Sequence, residues 1–117
     1  MWFDQATLYQ IYPLGMCGAP EYNDGLTVPR ICRLLDWTDH IQRLGANTVL
    51  LNPVFDSDKH GYDTRDYFRL DPRLGTNQDL TQVCHALHQA GLRIMLDGVF
   101  NHVGRGFWAF RDVQQKK

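Results

Sequence analysis

Cysteine is scarce and irregularly placed. Cys17, Cys32 and Cys84 make an odd set, whereas disulfide-stapled secreted domains carry dense, even sets and zinc sites carry close pairs such as C-x-x-C. Free thiols in a reducing, cytoplasmic setting are the expectation. The opening Met1-Trp2-Phe3-Asp4 lacks the basic start and apolar run of a secretory signal. No apolar run approaches the roughly 20 residues needed to cross a bilayer, so no membrane partner is expected. Excess charge is also missing. A net charge of −1 gives no electrostatic reason to expect nucleic acid. What remains is a 117-residue chain, long enough for one small cored domain and suited to an uncharged ligand.

What is present is an alternation of short apolar strands with amphipathic helices. Ala6 to Tyr12 is rich in aromatic and aliphatic residues and ends at Pro13, which cannot donate to a ladder; it reads as a buried strand. Gly15 to Pro29, with Asn23-Asp24-Gly25 inside it, reads as a loop. Leu34, Trp37, Ile41 and Leu44 recur at helical spacing, with Asp36 as a candidate cap and Gly45 as a left-handed stop. Trp37 is then a core residue. Asn47 to Leu51 is a second strand, apolar enough to be covered on both faces.

Asn52 to Gly75 reads as a polar and aromatic loop. Thr76-Asn77-Gln78-Asp79 resembles a capping box, followed by an apolar stripe of Leu80, Val83, Cys84 and Leu87 and a stop at Gly91. Arg93 to Phe100 is the third strand. The order strand, helix, strand, helix, strand implies parallel crossovers. A doubly wound nucleotide fold would put a G-x-G-x-x-G turn after its first strand; Gly15, Gly18 and Gly25 lack that spacing. Asn52, Asp97, Asn101 and His102 instead collect at the C-terminal ends of strands, where barrels build their sites. The expected fold class is α/β: the N-terminal portion of a (β/α)₈ TIM barrel, three parallel strands with two intervening helices, incomplete.

Two stretches carry a family resemblance. HGYDTRDYFRLDPRLGTNQDL and, after it, GLRIMLDGVFNHVG resemble the α-amylase superfamily of glycoside hydrolases, the second matching the pattern D-x-V-x-N-H at the end of the third barrel strand. The local pattern is most similar to the cyclomaltodextrinase, neopullulanase and maltogenic amylase branch, and it runs from about Thr7 to Val113. The resemblance implies residues 1–117 as part of a catalytic barrel, its first three strands. Residues 103–117, with FWAFRDV, would open a small inserted domain.

A retaining glycosidase uses two carboxyl groups about an oxocarbenium-like transition state, plus an aromatic face and polar groups that hold the sugar. By the resemblance, Tyr62 stacks on the sugar beside the scissile bond. His102 hydrogen-bonds that sugar's hydroxymethyl oxygen, and Asp97 orients an arginine and helps hold the catalytic carboxylates. Asn101 matches a calcium ligand of calcium-binding members. One amide oxygen falls short of the about six to eight that calcium takes, so no cofactor is required and calcium stays an open candidate.

Other residues read as structural. Asp63 and Asp66 resemble a carboxylate pair but fall in the loop after the second strand, where a structural role is expected. His40, His60, His85 and His88 are surface or loop residues. Trp2, Phe107, Trp108 and Phe110 are assigned to packing or a subunit contact rather than to sugar. The family's nucleophile, acid and second essential aspartate follow the fourth, fifth and seventh strands. A closed barrel takes about 250 residues. The chain is therefore expected to hold substrate-positioning residues without catalytic ones, to leave one sheet edge and the inward face uncovered, and to show no turnover alone. Its expected partners are an α-glucan oligosaccharide and the remainder of the barrel or another copy of the chain. The competing readings are a non-catalytic amylase-like barrel and a sugar-binding module.

Overall fold

A computed structural model describes residues 1–116. After a 3₁₀ turn over Trp2–Gln5, strand β1 (Leu8–Ile11) gives way at Pro13 to the single-turn helix α1 (Pro13–Met16). Proline there has no amide to leave unbonded and its fixed φ suits a helix's first position. After a long loop, a 3₁₀ stretch over Arg30–Trp37 runs into α2 (Thr38–Arg43), then β2 (Thr48–Leu51). Next come β3 (Phe55–Ser57), β4 (Thr64–Leu70), α3 (Asn77–Gln89), β5 (Arg93–Leu96) and α4 (Trp108–Gln115).

The three predicted strands form one parallel sheet in the order β1-β2-β5. Gln10 pairs with Leu50, and Leu50 with Met95, so one row crosses all three strands. Side chains alternate faces along a strand. Ile11, Val49 and Leu51 turn toward the helices and pack into a core with Ile31, Leu34, Ile41, Val83 and Leu87. Leu8 and Gln10 lie on the opposite face and are exposed. β2 is central, so both outer edges, of β1 and of β5, are unpaired among the described residues. The expectation of one free edge was an undercount.

Several local readings change. The stretch Asn52–Gly75 is not all loop: β3 and β4 pair antiparallel, with register shifts on both sides of Asp56. The expected α-helical stripe is split by the 3₁₀ stretch, whose three residues per turn rotate side chains out of α-helical phase. Leu34 and Ile41 are buried, but Trp37 is 38 % exposed and rests edge-on against His40, so it is not core. Leu44, just past α2, is exposed. Asp36 does not cap: the N-cap of α2 is Trp37, without a side-chain bond. β5 leaves the ladder after Leu96, shorter than Arg93–Phe100, although the Asp97 amide still donates to Leu51 O at 2.9 Å.

The capping box is present in full. Thr76 Oγ1 accepts from the Asp79 amide at 3.1 Å, and Asp79 Oδ2 accepts from the Thr76 amide at 2.8 Å. Gly45 and Gly91 both have left-handed φ, as helix stops require.

A buried ion pair holds the loops together. Arg73 and Asp71 are fully buried and bridge at 2.9 Å. Arg73 Nη1 also donates to the carbonyls of Pro20, Glu21 and Lys59, and Asp71 Oδ2 accepts from the Ser57 amide and hydroxyl. Nothing in the pair is left unbonded, the condition under which a buried pair is tolerated. It ties the loop after α1 to the β3–β4 hairpin.

Candidate active site

The C-terminal ends of the parallel strands bring four polar side chains into one hydrogen-bonded row. Gln10 Nε2, on β1, donates to Asn52 Oδ1 at 3.0 Å. Asn52 Nδ2, just after β2, donates to Tyr62 Oη at 2.8 Å. Tyr62 Oη, from the β3–β4 turn, donates to Asp97 Oδ2 at 3.2 Å. The two assigned residues Tyr62 and Asp97 are thus in direct contact, although 35 positions apart. Both are half-buried.

The β3–β4 turn that carries Tyr62 is built for it. His60 Nδ1 accepts from the Tyr62 amide at 3.1 Å, and the two rings lie 6.0 Å apart. Tyr12 Oη donates to His60 O at 2.8 Å, fastening the turn to the end of β1. Burial pushes the Tyr12 phenol up from its ordinary value. Gly61 takes φ +97°, and a Cβ there would sit 3.1 Å from Pro53 O. Glycine meets both demands. A cleft of about 330 Å³ opens beside the turn, lined by Tyr12, Leu14, Ala19, Pro20, Lys59 and His60.

Asp63 and Asp66 are committed elsewhere. Asp63 Oδ1 accepts from the Gly61 amide at 3.3 Å, and Asp66 Oδ1 from the Phe68 amide at 2.8 Å. The first bond lies within the β3–β4 turn, and the second lies within β4, where Asp66 faces Asp56 at the register shift. Asp56 is a second buried carboxyl. Burial raises its pKa, the nearby Asp71 raises it further, and a hydrogen bond from Asn23 opposes the shift.

His102 and Asn101 follow β5 and are exposed. Their side chains contact each other, Asn101 Nδ2 to His102 Nδ1 at 3.3 Å, and make no hydrogen bond to Tyr62 or Asp97 among the described residues. Their segment is anchored at two glycines. The Gly104 amide donates to Thr64 O at 2.9 Å, and the Gly106 amide to Asp58 Oδ2 at 3.4 Å. A Cβ on Gly104 would lie 2.4 Å from Asp63 O and one on Gly106 2.7 Å from Asp58 Oδ1. Asp58 is itself paired with Arg65. Tyr67 Oη donates to Val99 O, and the Tyr67 ring packs against Phe100 and Phe107. Phe107 therefore packs, whereas Trp108 is exposed and Trp2 lies under Arg93 at 4.9 Å.

No group of three or more His, Cys, Asp or Glu is placed to hold a metal among the described residues. Asn101 offers one amide oxygen, and its side-chain amide contacts His102.

Gln10 was missed in the sequence. Its signal is a polar residue between two apolar ones inside a strand, where alternation puts it on the face away from the helices. Asn52 was visible as a polar strand end but not as a partner of Tyr62.

Parallel strands joined through helices, with polar side chains gathered at their C-terminal ends, are the arrangement of part of a (β/α) barrel. Residues 33–117 match the family description "Alpha amylase, catalytic domain". The chain belongs to the α-amylase family. It is 35 % identical to a cyclomaltodextrinase of Bacillus sp over 96 % of its own length and 23 % of that relative's. It is 31 % identical to neopullulanase 2 of Thermoactinomyces vulgaris, over 98 % of this chain and 23 % of the relative. Among solved structures, the cyclic α-maltosyl-(1→6)-maltose hydrolase of Arthrobacter globiformis, in complex with that cyclic sugar, superposes with a TM-score of 0.82. The identity is 34 %, over 99 % of this chain and 30 % of that one. The chain thus spans less than a third of the proteins it matches, and its three parallel strands correspond to part of their barrel, which these residues do not close. No described helix is long and apolar enough to cross a membrane.

Proposed function

We propose that these residues form the substrate-positioning wall of a retaining glycosidase that cleaves α-glucosidic bonds in maltodextrins or cyclodextrins. The observation that carries this reading is the Tyr62–Asp97 contact at the C-terminal ends of the parallel strands. Tyr62 presents its ring to the sugar beside the scissile bond while its hydroxyl is held from both sides. It engages only Oδ2 of Asp97, which supports a role for the other oxygen toward an arginine from elsewhere in the barrel. His102, exposed beside this row in the chain, takes the sugar's hydroxymethyl oxygen. Stacking and hydrogen bonds of this kind fix the ring for attack, and misplacement by an ångström is costly in rate.

No residue of this chain is assigned as nucleophile or acid. Both carboxyl groups are supplied by other parts of the barrel, and the 117 residues alone give no turnover. Residues 103–117 begin the inserted small domain, and the compartment is cytoplasmic. Asn101 offers one oxygen to a calcium ion, whose other ligands would come from elsewhere in the barrel, and no cofactor is required.

The test is product release from β-cyclodextrin and 4-nitrophenyl maltoside by the full-length protein carrying these residues, with the anomer of the first product followed by NMR. Release of the α-anomer, weakened strongly by Tyr62→Ala, is the expected result. Inversion removes the retaining mechanism. Saturable maltose binding without any turnover by the full-length protein would make it a sugar-binding protein instead.

A further inference from the structure

We propose that Gln10 and Asn52 are positioning residues for this reaction: through a one-directional hydrogen-bond relay they pin the phenol of Tyr62 and commit its proton to Asp97. The proposal rests on the reading of Tyr62 as the sugar platform.

The direction of the relay follows from donor and acceptor inventory. Asp97, when ionised, only accepts, so the 3.2 Å contact requires the Tyr62 hydroxyl to donate. Having spent its one proton, Tyr62 Oη can only accept at 2.8 Å, so the Asn52 group facing it must be the NH₂. That turns Asn52 Oδ1 toward β1, where it needs a donor, and Gln10 Nε2 supplies one at 3.0 Å. Every group has a single consistent polarity, from an amide on β1 to a carboxylate after β5. Aligned bonds of this kind polarise one another toward the terminal charge.

The placement is specific to the inner face. Residues 10, 52 and 97 alternate onto the side of the sheet opposite the helices, with Gln10 in register with Leu50 and Asn52 extending β2 by one residue. Gln10 is exposed, and among the described residues Asn52 is the one partner of its side chain. An apolar residue there would suit a barrel lumen as well for packing. What glutamine adds is the donor that fixes the Asn52 amide. Without it, Asn52 can turn over and present its oxygen to Tyr62, which breaks the contact or diverts the phenol proton from Asp97.

A strut between strands and a relay acting through Tyr62 predict different kinetics. The experiment is a double-mutant cycle in the full-length protein, assayed on β-cyclodextrin, with melting followed by circular dichroism. Asn52→Leu and Gln10→Leu are each made in wild type and in Tyr62→Phe, with Tyr62→Ala as the control. The relay predicts that Asn52→Leu lowers kcat about 3- to 10-fold, the scale of one hydrogen bond, with KM within about twofold. In the Tyr62→Phe background the same substitution adds less than about 1.5-fold, because the oxygen it served is gone. Gln10→Leu, exposed and outside the core, follows in the same direction and covers the case in which Asn52→Leu fails to fold. Equal losses in both backgrounds, or a lower melting temperature with kcat unchanged, would overturn the relay. If Tyr62→Ala leaves kcat/KM unchanged, the platform reading itself falls and the relay with it. A strong Tyr62→Ala effect with neutral Gln10 and Asn52 variants removes the relay alone.

Discussion

The Tyr62 hydroxyl donates to Asp97 Oδ2 at 3.2 Å, and so the turn between β3 and β4 is tied to the end of β5. Tyr62→Phe keeps the stacking face and removes that tie. In the full-length protein we expect kcat/KM on β-cyclodextrin to fall about 2- to 10-fold, the range of a single net hydrogen bond. Tyr62→Ala, which also removes the ring, is expected to cost clearly more. Steady-state kinetics of the two variants side by side check this; equal losses would mean that the ring itself contributes nothing.

The Arg73–Asp71 pair is expected to behave unlike an isolated buried salt bridge. Arg73→Met leaves the Asp71 charge buried beside Ser57, and a loss of about 3–5 kcal/mol in unfolding free energy follows. Replacing both partners by apolar residues often restores stability elsewhere. Here it is not expected to, because Arg73 also satisfies the carbonyls of Pro20, Glu21 and Lys59 and Asp71 satisfies the Ser57 amide. Urea unfolding of Arg73→Met and of the double variant Asp71→Leu/Arg73→Met reads this out. Recovery in the double variant would show that those backbone groups find other partners.

The contrast between these two sites explains what was legible in the sequence. The three parallel strands, the Thr76–Asp79 capping box and the stops at Gly45 and Gly91 rest on local periodicity and cap chemistry, which one short window displays. Tyr62 and Asp97 stood out through the family resemblance of the two stretches that carry them. The Asp71–Arg73 pair was invisible, because its worth depends on carbonyls some 50 positions away that only folding brings near. Gln10 was invisible for the same reason, its partner being 42 positions on. The hairpin β3–β4 was hidden by its composition: Arg65, Asp66 and Arg69 blur the alternation, and the register shifts around Asp56 break it.

Gly104 is expected to tolerate no side chain. A Cβ there would lie 2.4 Å from Asp63 O and 2.6 Å from Asp58 Oδ2, so Gly104→Ala must push the segment after β5 off β4. A loss of about 1–3 kcal/mol is the usual scale of such overpacking, together with faster hydrogen exchange at residue 104, whose amide donates to Thr64 O. Gly45→Ala is the control. It has φ +83° and nothing within 4 Å, so it carries only the left-handed backbone cost of about 1–2 kcal/mol. It should leave exchange at Gly104 unchanged.

Cys17 gives the pH prediction. It is fully buried, and desolvation pushes its thiol from the ordinary 9.0 up to about 11, against the opposing pull of Arg33. The thiolate is the charged form, so a raised value means that the folded protein keeps a proton that the unfolded chain releases. Between pH 9 and 11 the folded state therefore binds more protons, and unfolding free energy falls as pH rises. The contribution is fully present below pH 9 and is lost through the window up to about 11. The measurement is a comparison that cancels other titrating groups: urea midpoints of wild type and Cys17→Ala at pH 8, 9.5 and 10.5. Cys17→Ala leaves a small cavity and should be less stable at pH 8, with the gap narrowing as pH rises. A gap independent of pH would mean that the thiol ionises in the folded chain as readily as in the unfolded one, and that desolvation at this site is not what holds the proton.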